Sequence, residues 1–354
     1  MLYRENGQFK STYASDQQML PILQDRVFML GLVAFAFLVV PFVVSDYVFL
    51  SLVIPFLILA LAALGLNLLV GYCGQISIGH AAFMAVGAYA AYNLALRVPQ
   101  LNFLVVLVLA GLIAAAVGMV FGIPSLRIKG LYLAVATLAA QFFMDWLFAR
   151  VKWFTNYAHS GSVQTAPLDL FGWVVDTPAR KYLFLLSILI VFTLIAKNLV
   201  RGHIGRAWMA MRDMDVAAEV IGIRPVYAKL TAFAISSFFV GVAGALWGFV
   251  HLGSWEPLAF NLTLSLNLLF MVIIGGMGSL LGSYFGAAFI VILPIVLNQV
   301  PAFLGVPIST SMASHLEFMI FGALIVFFLI VEPHGLARLW AIGKEKLRLW
   351  PFPH

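Results

Sequence analysis

About ten near-unbroken apolar runs divide this chain, each close to the length a helix needs to cross a bilayer. They cover roughly 27–45, 49–71, 79–97, 102–123, 130–149, 182–200, 229–250, 262–276, 279–299 and 316–333. A hydrocarbon layer about 30 Å thick takes roughly 17–25 residues of helix, because only a helix satisfies its own backbone polar groups there. The runs therefore predict an all-α polytopic membrane protein of about ten transmembrane helices. Composition agrees. Hydrophobic residues make up 63% of the 354 positions and charged ones 10%, against roughly a quarter charged in soluble domains.

The net charge of +6 is explained by where the basic residues fall. With the N-terminus inside, all of the 20 Lys and Arg residues except Arg97, Arg150, Lys152, Arg180 and Lys181 lie on the cytoplasmic side. The positive-inside rule then places both termini in the cytoplasm. The basic excess is a topology signal, and nucleic acid is not an expected partner. The chain divides into a cytoplasmic tail (1–26), a membrane domain (27–333) and a second cytoplasmic tail (334–354). Pro41, Phe42 and Asp46 follow the first run where a small-residue cleavage site would stand, so the run reads as a retained helix. Cys73 is the single cysteine, which excludes an intrachain disulfide and reads as a small packing residue.

Two loops are long. Residues 150–181 fall outside and 200–228 inside. In the inner loop Trp208, Met211, Met214, Ala218 and Ile221 recur at helical spacing, while Arg212, Asp215 and Glu219 line another face. Gly222 and Pro225 end the pattern. Such a helix, over 206–221, can lie in the headgroup layer, cover its own bundle or dock into a groove on another protein. The mixed charge of Arg212, Asp213, Asp215 and Glu219 makes anionic lipid a poor partner.

Several chemistries are missing. Gly343-Lys344 is preceded by Arg338 where a P-loop needs its first Gly, and Glu345 stands where it needs Ser or Thr. "GGMGS" (275–279) carries no Lys. ATP, if used, must bind another chain. Asp145 and Glu317 sit near the outer ends of their runs, and a proton- or sodium-coupled carrier usually holds ionisable groups near the midplane. The seven His are scattered with no HExxH, and no nucleophile, carboxylate pair or metal-ligand cluster suggests an enzyme or a cofactor. Gly278, Gly282 and Gly286 recur every four residues, as do Gly244 and Gly248, giving faces for close helix packing within the chain or between subunits. The pair Gly275-Gly276 predicts a kink.

Four segments together resemble a known family: "GLNLLVGYCGQISIGHAAFMAVGAYAAY" (65–92), "PSLRIKGLYLAVATLAAQ" (124–141), "GRAWMAMRDMDVAAEVIGIRPVYAKLTAFAISSFFVGVAGAL" (205–246) and "GGMGSLLGSYFGAAF" (275–289). They look like the LivM-type permeases of branched-chain amino acid ABC importers, in the family's order, from about 45 to 340. The resemblance implies a type II ABC importer-like permease fold in a bacterial inner membrane. It also implies a second, LivH-like permease subunit, two cytoplasmic ATP-binding subunits and a periplasmic substrate-binding protein. ABC permeases seat an EAA-type helix in the ATPase. Ala217, Ala218 and Gly222 match its spacing, Val216 replaces its Glu, and Asp215 and Glu219 lie beside it. The resemblance thus implies ATPase coupling through Arg206, Trp208, Met211, Arg212, Met214, Asp215, Ala217, Ala218, Glu219 and Gly222. In the outer loop, His159-Ser160-Gly161-Ser162-Val163 keeps only part of the family's Thr-Gly-Gly-x-x-Gly stretch. The cargo expected is a branched-chain or other apolar amino acid, with urea or a short amide as the alternative and a stand-alone carrier as a further rival.

"GYCGQISIGHAAF" (71–83) interrupts two apolar runs with Gly and polar residues. In a transporter such a stretch permits a broken helix whose backbone lines a path, and Asn67, Gly74, Gln75, Ser77 and His80 are placed to line it. The alternative is packing, with His80 a satisfied interior residue and Ser77 a helix cap.

Overall fold

A computed structural model describes residues 12, 23–123, 131–158, 160–165, 168–170, 173–303, 310–331 and 335–349. The readings placed on Arg4, Lys10, Arg127, Lys129 and His159, and on the side chains of Glu317 and Arg348, lie outside the described residues. The described residues are mainly helical, the principal helices being α1 (Leu23–Leu38), α2 (Ile54–Asn67), α3 (His80–Arg97), α4 (Phe103–Gly122), α5 (Leu131–Arg150), α6 (Pro178–Arg201), α7 (His203–Asp213), α8 (Asp215–Val220), α9 (Pro225–Leu246), α10 (Leu262–Gly275), α11 (Leu280–Phe303), α12 (Thr310–Val331) and α13 (Gly335–Leu349). Local chemistry sets several starts. Asn102 and Asn261 accept from the backbone N–H of Leu104 and Leu264 as side-chain caps of α4 and α10. Pro178 and Pro225 stand in the first turns of α6 and α9, where no N–H is required.

Among the described residues eight helical runs are long and apolar enough to cross a membrane, from Asp25–Val43 to Leu280–Leu297. The two expected spans not among them are present as helices of 18 residues (α3) and 22 residues (α12). α3 falls short in hydropathy because it carries His80, Asn93 and Arg97 among Ala and Gly, and it can do so because protein covers most of it. α12 has a shorter apolar stretch, Phe318–Phe328.

α9 is the central helix, packed along α4, α3 and α2, while α10 packs on α11. Small residues allow the close approaches. A side chain at Gly244 would run into the backbone of Met84, and one at Gly286 into that of Met271. The glycine faces are therefore used within the chain. Gly278 is a correction to the expected three-glycine face, since it precedes α11 and has φ +77°.

The two ends of the bundle differ. At one end β1 (Val163–Gln164) pairs antiparallel with β4 (Ser254–Trp255), so loops 150–181 and 251–262 form a joint surface. A second hairpin, β2 (Asp169–Leu170) with β3 (Trp173–Val174), lies beside it in the chain. Arg97 stacks over the Trp153 ring at 3.9 Å there. The opposite end carries α7, α8 and both terminal helices. Lys344 Nζ pairs with Asp25 Oδ1 at 3.1 Å, and Gly335 abuts Gly276.

Candidate coupling element and buried polar core

The inner-loop helix is two helices. Met214, at φ −157° and ψ 97°, interrupts the run between α7 and α8. An extended residue breaks the 3.6-residue period and turns everything after it to a new direction, so the single apolar face expected over 206–221 is corrected. Trp208 (0% exposed) and Met211 (6%) face the chain's own bundle, whereas Met214 (71%), Val216 (67%), Val220 (83%) and Ile221 (74%) stand exposed. Trp208 Nε1 donates to Thr231 Oγ1 at 3.2 Å, which holds α7 to α9. Ala218 is buried toward the bundle, while Ala217 and Glu219 are exposed. Asp215 opens α8, where an acid complements the helix dipole. Arg206 is exposed on α7, its Nη1 3.4 Å from the Arg201 carbonyl. Gly222 takes φ +92° to turn the chain toward Pro225. A cleft of about 330 Å³ opens between α7 and the start of α9, lined among others by His203, Trp208, Arg224, Tyr227 and Thr231.

The interruption after residue 71 is a break in the helix. The helical run from Asp46 ends in a π turn at Leu68–Tyr72, and α3 starts only at His80. Residues 74–79 between them are non-helical. At its start, Gly74 has φ +72°, and a Cβ there would lie 2.8 Å from Arg212 Cγ of α7. At its far side, Ala81 N donates to Ser265 Oγ at 2.8 Å. Ser265 lies ten residues before the end of α10 at Gly275, about 15 Å along that helix at 1.5 Å per residue. Six residues can reach at most roughly 20 Å, enough to cover that distance. The segment thus climbs into the bundle, and α3 begins in its interior.

That interior start is met by polar side chains from other helices. Ser265 Oγ and Gln141 Oε1 accept from the N–H groups of Ala81 and Ala82, at 2.8 and 2.7 Å. Gln141 also accepts from Ser265 Oγ and donates to Asp145 and to the Phe260 carbonyl. Thr137 Oγ1 accepts from Ile78 N at 3.0 Å. The Ala81 and Ala82 N–H groups are orphan donors of the α3 N-terminus, satisfied by α10 and α5, while Thr137 holds Ile78 just before the helix. His80 is fully buried, with Nδ1 2.7 Å from Ser77 Oγ and Nε2 2.9 Å from Ser236 Oγ. Ser77 therefore bonds the imidazole and not the helix backbone. Asn67 is buried too: Oδ1 accepts from Gly278 N at 2.9 Å, and Nδ2 donates to the Ser279 carbonyl at 2.7 Å and Ser283 Oγ at 2.9 Å. Gln75 is buried with both side-chain polar atoms unpartnered. Burial alternates along the segment, with Gly74 and Ile76 exposed and Gln75 and Ser77 buried. The sequence reading missed Val220 and Ile76, and the partners Thr137, Gln141, Ser236 and Ser265. Thr137 and Gln141, four residues apart on one face of an apolar run, were the available signal. Among the described residues no three His, Cys, Asp or Glu side chains converge as metal ligands would.

Residues 48–329 match the family described as branched-chain amino acid transport system / permease component. The chain belongs to this family. It is 30% identical over 303 residues to the high-affinity branched-chain amino acid transport system permease proteins LivM of Salmonella typhimurium and of Escherichia coli, covering 79% of this chain and 68% of each of theirs. It is 22% identical over 315 residues to a probable LivM of Methanocaldococcus jannaschii, covering 78% of this chain and 89% of that one. No solved structure matches it. The permease is a multi-pass membrane protein and the membrane-spanning subunit of an ABC importer.

Proposed function

We propose that the permease moves branched-chain or other apolar amino acids into the cytoplasm, with its α8 end facing the cytoplasm and both termini there. The observation that carries the docking part of this reading is the exposed cluster Met214, Val216, Val220 and Ile221. Large apolar side chains on a polar-flanked loop outside the hydrocarbon mark an interaction surface, and α8 holds the residues that match the ATPase-coupling element. Two ATP-binding subunits, one for this chain and one for a LivH-like permease partner, occupy that end and carry out the hydrolysis. The chain itself supplies no catalytic group. A substrate-loaded binding protein meets the surface built by β1 and β4. The exposed side of the non-helical segment, Gly74 and Ile76, lines the path, while Ser77 and His80 anchor it to Ser236 of α9 and Asn67 ties the helix before it to residues 278–283. Val220→Asp tests the docking surface: the complex should lose its ATPases while the permease still inserts. Retention of the ATPases with normal import would place the dock elsewhere. Competition of labelled leucine uptake by isoleucine and valine, and its indifference to urea, tests the cargo.

A further inference from the structure

Arg212 is placed differently from the other basic residues of the coupling element. Its Nη1 donates to the Gly71 carbonyl at 2.9 Å, and its Nε and Nη2 each lie 2.9 Å from Asp213 Oδ1. Gly71 belongs to the last turn of its helical run, whose carbonyls have no partner further along the helix, so a cation there also complements the helix dipole. Two left-handed glycines press on the same side chain. A Cβ at Gly74 (φ +72°) would fall 2.8 Å from Arg212 Cγ, and one at Gly278 (φ +77°) 3.1 Å from Nη1 and 3.2 Å from the Gly71 carbonyl oxygen. A side chain at Gly71 itself would overlap Asn67 Oδ1 and the Gly278 nitrogen. Asn67 then binds this break to the next one through Gly278, Ser279 and Ser283.

One guanidinium, carried by α7, thus bonds the helix interruption after Gly71 and lies beside the one at 276–279, which Asn67 ties to the first. Trp208 and Met211 seat α7 on the bundle just before Arg212, so α7 and its guanidinium shift together. We propose that Arg212 is the positioning residue that transmits displacement of the coupling element to both helix breaks, and through the non-helical segment 74–79 to the path. This rests on the reading of α8 as the ATPase dock. Only a planar fork can hold a carbonyl and a carboxylate in fixed directions at once, and a Lys ammonium is a single point charge on a flexible stem.

The experiment uses the complete importer in liposomes, with Arg212→Ala, Arg212→Lys and Val220→Asp measured side by side for ATPase retention and for substrate imported per ATP hydrolysed. Both Arg212 variants should keep their ATPases, and the import-to-hydrolysis ratio should fall roughly tenfold or more, the scale of losing a charge-assisted hydrogen bond. An unchanged ratio in either variant overturns the transmission role, and so does release of the ATPases, which would make Arg212 a docking residue. Should Arg212→Ala not assemble, Arg212→Lys retains the charge and decides the question. Val220→Asp reads the dock separately: if it keeps its ATPases and imports normally, the docking surface is wrong, whatever the Arg212 ratio shows.

Discussion

Met211 shows what a single side chain can and cannot do here. Its helical spacing with Met214 suggested a partner-facing stripe, yet it is buried against its own chain. Met211→Asp should therefore damage the permease itself, because an unpaired charge in that packing is strongly unfavourable. Lower yield and a lower melting temperature in detergent are expected, and a stable protein that only lacks ATPases would contradict this. Ser236→Ala leaves His80 Nε2 without its partner. The expected cost is about 1–3 kcal/mol, visible as reduced thermal stability. Gly74→Leu forces a side chain into a left-handed φ against Arg212. Import should stop while the protein still inserts, and unimpaired uptake would mean that this turn has no part in the path.

At the scale of elements, the helices were legible and their interruptions only partly so. Apolar runs specify spans because a bilayer admits little else, and α1, α4, α5, α6, α9, α10 and α11 all lie where those runs predict. Gly275-Gly276 read as a kink, and α10 does end there. The break at Met214 was not legible. Nothing in a Met between two Asp residues demands an extended backbone, so the three- and four-residue spacing continued across it on paper. The run 71–83 announced a broken helix but not its depth. That depends on Thr137, Gln141, Ser236 and Ser265, which lie 59 to 184 residues away from their partners. Exchanging Ser265 for Ala should expose this dependence, because the Ala81 N–H and Gln141 Oε1 each lose a bond. A cost of about 1–3 kcal/mol is expected; a variant as stable as the parent would show that the start of α3 is held by other means.

At the scale of the whole molecule, the proposed function gives the ATPases one end of the bundle and the binding protein the other. The salt bridge from Lys344 to Asp25 joins α13 to the start of α1, and Gly335 abuts Gly276, next to Gly278 at Arg212. A Cys in place of Ser162 should then react with a membrane-impermeant thiol reagent from outside, and one in place of Asp213 should not. In the proposed function this chain carries substrate only as part of an ATP-driven assembly. The most direct measurement is uptake of labelled leucine into liposomes holding the permease alone, or the permease with its partner permease and ATPases, with and without the binding protein and ATP. Uptake only in the complete system with ATP is the predicted result. Accumulation by the permease alone, without ATP, would contradict it.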